Sequence, residues 1–439
     1  MIFALYLLYA ANVMLRLNDY LPGLRGAPIA EFGIPVLLVL WLLFEKKDFS
    51  CVTDLLIPMF FVAVVGGFAI AVWPSQAIEI AKPFIPWVVL YFLTANLVHT
   101  ETRMNLVLGM FVVTALIIVL HSVQQSRSYD GVNDVTGMGW SGVHVLSGRV
   151  RYVGLMNDPN DLALCFATIL PFVLQLTYSG VNIGLRAMGY LLCMPIIYGI
   201  FLTNSRGGML SVGVLGALYT YRRWGAIRCA ILCTVMAAAV FTFGPSRVRE
   251  QSGSDEASTE GRIEAWHTGI QLLKQHPVFG IGKDEFTSHH IITAHNSFVL
   301  CFAETGMFGY VIWIGAGLFS MYGLYYALKQ VDRRSRAYRQ TAAIFDSLAA
   351  FYTAGFFLSR TYLMMLPILL GLAVARYKMT RDAIEEEAPE EDASQSARST
   401  QRPALPDLSW NVLIDKAPML MGAVVFSIGA IYLIVRFKT

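Results

Sequence analysis

The sequence predicts an all-α fold, a polytopic membrane bundle of about 12–13 transmembrane helices with a large extracytoplasmic loop. Hydrophobic residues make up 56% of the 439 residues and charged residues only 14%, whereas a soluble domain has about 25% charged residues. Apolar runs that approach the ~20 residues needed to cross a bilayer recur along the chain. The net charge of +3 is small and gives no indication of nucleic-acid binding.

The candidate spans begin with the first residues of the chain. The run at 1–17 lacks the basic start and the small-residue cleavage site of a signal peptide, so we interpret it as a retained helix. The run at 296–328 is long enough for one tilted span with a bent first segment. The candidate spans lie near residues 1–17, 29–44, 55–73, 83–98, 104–121, 161–178, 186–203, 208–221, 228–244, 296–328, 341–358, 362–375 and 417–435.

Short basic loops indicate which ends of these spans face the cytoplasm. They lie at 45–47, 222–228, 329–339 and 376–381. Lys and Arg are concentrated in the cytoplasmic loops of membrane proteins. Alternation of the spans then places four connections on the extracytoplasmic side, namely 122–160, 203–207, 245–295 and 359–361. The two longest loops are therefore expected to share that face.

The chain is expected to have three parts. Residues 1–375 form the predicted transmembrane bundle. Residues 376–416 are predicted to be a disordered cytoplasmic tail, because 382–415 is acidic, contains Ser and Pro and has no apolar period. Residues 417–439 contain a further apolar run and are predicted to include an extra transmembrane helix. We find no internal repeat, which argues against an inverted-repeat transporter.

The loop 245–295 is predicted to contain an amphipathic helix over 261–276 that Pro277 ends. Its apolar stripe consists of Ile263, Trp266, Ile270 and Leu273. Arg262 and Trp266 are neighbours on this helix at i and i+4. One interpretation is an Arg that extends to the interface beside an interfacial Trp. The other is a guanidinium held at membrane depth to bind a phosphate.

Arg206 lies in the segment TNSRGG, between two apolar runs with almost no loop. A charge at that depth is costly unless it is paired or faces a cavity. The guanidinium suits a bidentate phosphate contact, and Gly207 and Gly208 would let the backbone approach a ligand. The alternative is a tight turn with an exposed Arg.

The loop 122–160 contributes Arg127, Arg149 and Arg151, followed by NDPNDLA. Asp158 is predicted to cap a helix in which Asp161 lies in the first turn. Asp158 could instead pair with one of these arginines. We take Asp158 and Arg151 as accessory site candidates.

His295 is the candidate catalytic residue, because it lies where the chain re-enters the membrane and a neutral imidazole can accept a proton near neutral pH. The alternative is an interfacial His that caps a helix. Asn296 could orient His295 or bind a sugar hydroxyl. Glu304 is an intramembrane carboxylate that could act in the site or pair with Arg360.

A metal site is not predicted. His289 and His290 could join His295, but no carboxylate or Cys completes a site at ligand spacing. The six cysteines form no paired CxxC motif, so neither zinc nor a disulfide framework is expected. The sequence also lacks phosphate-loop, GxSxG and HExxH motifs. We therefore expect no cofactor.

Five short motifs occur in an order that resembles the O-antigen ligase and O-antigen polymerase superfamily of bacterial membrane glycosyltransferases. They are SRGG (205–208), GRIEAW (261–266), PVFGIG (277–282), AHNSFV (294–299) and ETGMFG (304–309). The NDPNDLA segment resembles the subgroup found in exopolysaccharide gene clusters. The resemblance covers about residues 150–310, and the acidic tail and the final helix are not part of it.

The resemblance implies a function in the cell envelope, such as lipopolysaccharide biosynthesis. Family members transfer a glycan from an undecaprenyl-diphosphate carrier to a sugar hydroxyl of lipid A core or of another glycan. The transfer is inverting, needs no metal and takes place on the extracytoplasmic face of the inner membrane. Arg206 and Arg262 match the loop arginines thought to hold the diphosphate. His295 matches the loop His proposed to activate the acceptor.

Three alternatives stay open. A polymerase of the same superfamily differs from a ligase only in its acceptor. A polysaccharide transporter or flippase would have buried charges along a path through the membrane, whereas here the polar residues concentrate on one face. A membrane scaffold would need none of Arg206, Arg262 and His295.

Overall fold

The protein folds into an all-α bundle, as predicted, with 76% of its residues helical and 17 α-helices in the described part of the chain. The computed structural model describes residues 1–26, 28–71, 77–135, 142–153, 156–243, 253–391 and 404–438. The helices are α1 (Ile2–Leu15), α2 (Leu17–Tyr20), α3 (Ile29–Phe44), α4 (Val52–Ala71), α5 (Ala77–Leu97), α6 (Glu101–Arg127), α7 (Pro159–Leu174), α8 (Ile183–Thr203), α9 (Arg206–Trp224), α10 (Ala226–Phe243), α11 (Gly253–Gln275), α12 (Phe286–His289), α13 (Ser297–Gln330), α14 (Arg336–Gly355), α15 (Met365–Glu391), α16 (Val412–Asp415) and α17 (Ala417–Lys438).

Seven of the described helices are long and apolar enough to cross a membrane, namely α4, α5, α6, α7, α8, α13 and α17. Three apolar helices are shorter, namely α1, α3 and α10. The other predicted spans coincide with α9, α14 and α15, which carry more polar residues. The described residues therefore place a helix at each predicted span, while length and hydropathy support seven of them.

The helix α13 bends at Gly306, where φ is 62°, and this matches the bent first segment that its length predicted. The preceding PVFGIG segment fills the bend. Backbone N–H groups of Ile281 and Met307 donate to the carbonyls of Ala303 and Pro277 at 3.0 and 2.8 Å. Only glycine fits at Gly306, because a Cβ there would collide with the backbone of Val278. The two glycine-bearing motifs thus fix the loop that leads to His295.

The small β-hairpin of β1 (Val143–Leu146) and β2 (Arg149–Tyr152) is the one strand pair in the described residues, and the sequence analysis did not predict it. Its strands alternate buried and half-buried residues, the period-2 pattern of a strand with one covered face. Ser147 and Gly148 form the turn with positive φ values of 51° and 69°. The hairpin packs against α6, α7 and α8 and thereby positions Arg149.

The basic loops meet at one end of the bundle. Lys378 Nζ lies 3.2 Å from Asp54 Oδ2, and Arg381 Nη2 lies 3.3 Å from Asp48 Oδ2. These contacts belong to α15, which continues to Glu391 and so includes the first part of the predicted tail. Within this helix the buried Arg376 and Lys378 donate to Gln340 Oε1 and to the carbonyl of Asp48. Residues 392–403 lie outside the described residues, and the division into bundle, tail and final helix stays a prediction.

Candidate functional site

The opposite end of the bundle contains three adjoining cavities. The first, here called the basic cavity, has a volume of about 340 Å³ and is lined by Arg206 and Arg262. The second, the bridging cavity, has a volume of about 880 Å³ and is lined by Arg262 and His295. The third, the inner cavity, has a volume of about 550 Å³ and is lined by His295 and Glu304. Arg262 and His295 are therefore each shared by two neighbouring cavities.

Arg206 is the first residue of α9 and is exposed to the basic cavity. The chain reverses there because Asn204, with φ of 52°, ends α8 in the left-handed conformation and Ser205 caps α9 through the N–H of Gly208. Gly207 also lines the basic cavity. Gly208 serves packing instead, because a Cβ there would lie 2.6 Å from the Cβ of Ala163. The predicted close approach of the backbone to a ligand is thus restricted to Gly207.

Arg262 and Trp266 both line the basic cavity from α11. Trp266 is only 6% exposed, which argues against the predicted alternative of an interfacial Trp. Its Nε1–H donates to the carbonyl of Ala294 at 2.9 Å, and its ring packs edge-on against Phe356. Trp266 therefore ties the helix that carries Arg262 to the residue before His295.

Arg149 is the basic residue of loop 122–160 that reaches the site. It lines the basic and bridging cavities, and its guanidinium donates to the carbonyl of Thr203 at 3.0 Å and to Asn160 Oδ1 at 3.1 Å. Arg151, the residue that the sequence analysis selected, lines none of the three cavities. Arg149 and Arg151 alternate with buried residues on β2 in the same way. The sequence pattern therefore does not tell which of them lines a cavity.

Asp158 caps α7, as predicted, by accepting from the backbone N–H of Asn160 at 2.7 Å. The carboxylate also lines the bridging and inner cavities. Asp161 lies in the first turn of α7. It forms a bidentate ion pair with Arg360, whose Nε lies 2.5 Å from Asp161 Oδ1. The Glu304–Arg360 pair that the sequence left open is therefore wrong, because Asp161 takes Arg360.

Glu304 lies on the first segment of α13 and is 2% exposed. It accepts a hydrogen bond of 2.9 Å from the hydroxyl of Tyr362 and lines the inner cavity. Lys283 lines the same cavity, with its Nζ 5.3 Å from the centre of the Tyr362 ring. The inner cavity thus combines an aromatic face with both acidic and basic groups.

Asn296 is the N-cap of α13 and accepts from the N–H groups of Phe298 and Val299 at 2.9 and 3.2 Å. It is fully buried and lines none of the three cavities. As a cap it fixes the start of α13, and its predicted roles toward His295 or a sugar hydroxyl stay predictions. His295 stands immediately before it in the left-handed conformation, with φ of 47°.

His295 is half-buried, and its side chain lines the bridging and inner cavities. Burial lowers its pKa below the ordinary value of 6.5, and the positive charges of Arg262 and Arg360 lower it further, while Asp158 acts in the opposite direction. The imidazole is therefore neutral at pH 7 and able to accept a proton. In the described part of the chain, no group of three His, Cys, Asp or Glu residues could hold a metal ion.

Residues 191–314 match a family model described as O-antigen ligase. The match runs from within α8 into α13 and contains Arg206, Arg262 and His295, so it confirms the resemblance that the motifs indicated. Arg149 and α17 lie outside the matched residues. No curated protein is significantly similar to the chain.

Proposed function

We propose that this chain, which has an O-antigen ligase domain over residues 191–314, transfers a glycan from an undecaprenyl-diphosphate carrier to a sugar hydroxyl. The domain supports a ligase- or polymerase-type function in general. The proposed reaction takes place on the extracytoplasmic face of the inner membrane, without a metal ion and with inversion at the anomeric carbon. One observation carries the proposal: the arginines and His295 line cavities that share their walls.

The basic cavity suits the diphosphate of the donor. Arg149, Arg206 and Arg262 line it together with apolar side chains such as Trp266 and Phe357. Guanidinium groups bind phosphate oxygens through paired hydrogen bonds, and an apolar wall beside them accommodates the first units of a lipid tail. This combination of groups matches a lipid-linked diphosphate better than a free sugar.

The bridging cavity is the proposed place of the reaction. Arg149, Arg262, Asp158 and His295 all line it. With the diphosphate held by Arg262, the anomeric carbon lies toward His295. The acceptor oxygen attacks that carbon, the bond from carbon to the diphosphate oxygen breaks, and His295 takes the hydroxyl proton. The arginines stabilise the negative charge that builds up on the departing diphosphate.

The inner cavity is suited to the acceptor glycan. Tyr362, Phe84 and Phe286 supply aromatic surface, and Asp158, Glu304 and Lys283 supply hydrogen-bonding groups. Sugars bind through such a mixture of apolar contacts and a few placed polar groups. His295 opens onto this cavity as well, so it can contact an acceptor hydroxyl bound there.

A transfer assay with purified protein in nanodiscs tests the proposal. The donor is a glycan on undecaprenyl diphosphate, the acceptors are lipid A core, other glycans and the donor itself, and EDTA is present throughout. We expect transfer by the unmodified protein and its loss in Arg262→Ala and His295→Ala. Lys274→Gln is the matched control, because Lys274 is an exposed residue on the same helix that lines no cavity.

The acceptor that reacts identifies the enzyme. Transfer to lipid A core indicates a ligase, and growth of the donor glycan indicates a polymerase. Equal transfer by both site variants and the unmodified protein would contradict the proposed site. Flux of a polysaccharide or solute across the membrane of proteoliposomes that contain the protein, without glycan transfer, would favour the transporter or flippase.

A further inference from the structure

The helix α17 (Ala417–Lys438) lies outside the matched family residues, yet it packs on the helices that carry the site. One stripe of buried residues attaches it to α13 and α11, and the hydroxyl of Tyr310 lies 2.7 Å from Ser427 Oγ. The stripe consists of Leu420, Val424, Ile431 and Val435. Their intervals of four, seven and four residues are those of a single helix face. The other faces expose apolar side chains, among them Phe426 and Phe437, as expected for a helix next to lipid.

The last turn of α17 closes one side of the basic cavity. Ile434 and Lys438 line it, as Arg206 and Arg262 do. Ile434 continues the apolar wall, and Lys438 adds a fourth basic side chain to those of the three arginines. The basic cavity combines apolar and basic side chains. The last turn of α17 contributes one of each kind, Ile434 and Lys438.

We propose that α17 is a wall of the donor site, in which Lys438 binds the diphosphate of the lipid carrier and Ile434 contacts the first isoprenoid units. This inference rests on the proposed function, since it assigns a further residue pair to the same donor site. A Lys ammonium binds phosphate as a point charge beside the bidentate arginines. A carrier with a long apolar tail also needs a site at the edge of the bundle, and α17 has exposed apolar side chains beside the basic cavity.

The test is equilibrium binding to the full-length protein in nanodiscs, with undecaprenyl diphosphate and inorganic pyrophosphate as separate probes. We expect Lys438→Gln to weaken binding of both probes by about tenfold, the effect of losing one hydrogen bond to a charged group. Ile434→Trp should weaken binding of the lipid probe alone, because it narrows only the apolar side of the cavity.

Two matched controls lie on the same turns of α17. Arg436→Gln removes a basic side chain that does not line the basic cavity, and Leu433→Trp enlarges an exposed apolar side chain outside it. Both controls should bind the two probes like the unmodified protein. If substitutions on α17 acted only by unfolding the helix, both controls would lose binding as well.

The outcomes separate this inference from the proposed function. If Arg262→Ala loses binding while Lys438→Gln and Ile434→Trp bind normally, α17 is not a wall of the donor site and the proposed function stands. If Arg262→Ala also binds undecaprenyl diphosphate normally, the proposed donor site and the inference both fail. Loss of binding in Arg436→Gln equal to that in Lys438→Gln would show that the charge of α17, rather than Lys438, is responsible, and would overturn the assignment.

Discussion

The two ends of the bundle use basic side chains in different ways. At the end with the basic loops, Lys378 is buried and its Nζ lies 3.2 Å from the carboxylate of Asp54. At the other end, Arg206, Arg262 and Lys438 line a cavity of about 340 Å³. A buried cation with a carboxylate partner fixes the packing of two helices, whereas we propose that the cations around the basic cavity bind an anionic ligand.

The site end also has a cation that pairs with a buried carboxylate. Arg360 and Asp161 form a bidentate contact that ties the segment after α14 to the start of α7. Asp161 is buried, so this pair holds the wall of the inner cavity in place. An Arg at a membrane boundary is therefore a candidate for ligand binding only when its contacts, as well as its depth, are known.

The largest loss of transfer is expected from Arg206→Ala or Arg262→Ala. Removing one group that stabilises charge in the transition state costs about 10²–10³-fold in rate. Arg262→Lys should retain part of the activity, because it keeps the charge and loses the bidentate geometry. Initial rates with the lipid-linked donor measure this, with Lys274→Gln as the control. Equal rates for Arg262→Ala and the control would show that the cations of the basic cavity take no part in transfer.

A smaller loss, about tenfold, is expected from Arg149→Gln, which removes one hydrogen-bonded cation from the edge of the basic and bridging cavities. Arg151→Gln is the matched control on the same strand, since Arg151 lines neither cavity. The same rate assay applies. A greater loss in Arg151→Gln than in Arg149→Gln would show that Arg151, rather than Arg149, contributes to the site.

The pH dependence of transfer should shift slightly in Asp158→Asn. In the proposed reaction His295 acts as a base in its neutral form, so transfer should be lost as the pH falls through its pKa, which is lowered below 6.5. The charge of Asp158 raises that pKa, and its removal should move the acid limb to lower pH. Asn retains the helix cap. A limb that moves to higher pH would contradict the assignment of His295.

The smallest effect on transfer is expected at the opposite end. Lys378→Met leaves the buried carboxylate of Asp54 without its charged partner and should destabilise the fold by about 3–5 kcal/mol. The transfer rate per folded molecule should be unchanged, because the pair lies far from the cavities. Thermal unfolding in detergent, together with the rate of the folded fraction, checks both parts. A rate that falls without loss of stability would mean that this end takes part in the chemistry.

Much of the fold and part of the site follow from the sequence for identifiable reasons. Apolar runs of membrane length predict helices whatever their packing, and Asp158 as a cap follows from local geometry. The hairpin was missed, because the period-2 pattern of VHVLSGRVRY is short and the rest of the chain is helical. The choice of Arg149 over Arg151, and the pairing of Arg360 with Asp161, depend on contacts between segments far apart in sequence.

The central claim is that Arg262 binds the donor and His295 accepts the proton. Measuring donor binding and transfer separately tests this claim most directly. The measurement compares binding of the lipid-linked donor with single-turnover transfer at saturating donor, in Arg262→Ala and in His295→Gln. We predict that Arg262→Ala loses donor affinity and rate, whereas His295→Gln binds the donor normally and loses rate. Normal donor affinity in Arg262→Ala together with lost affinity in His295→Gln would contradict it, because the diphosphate would then be bound at His295 rather than in the basic cavity.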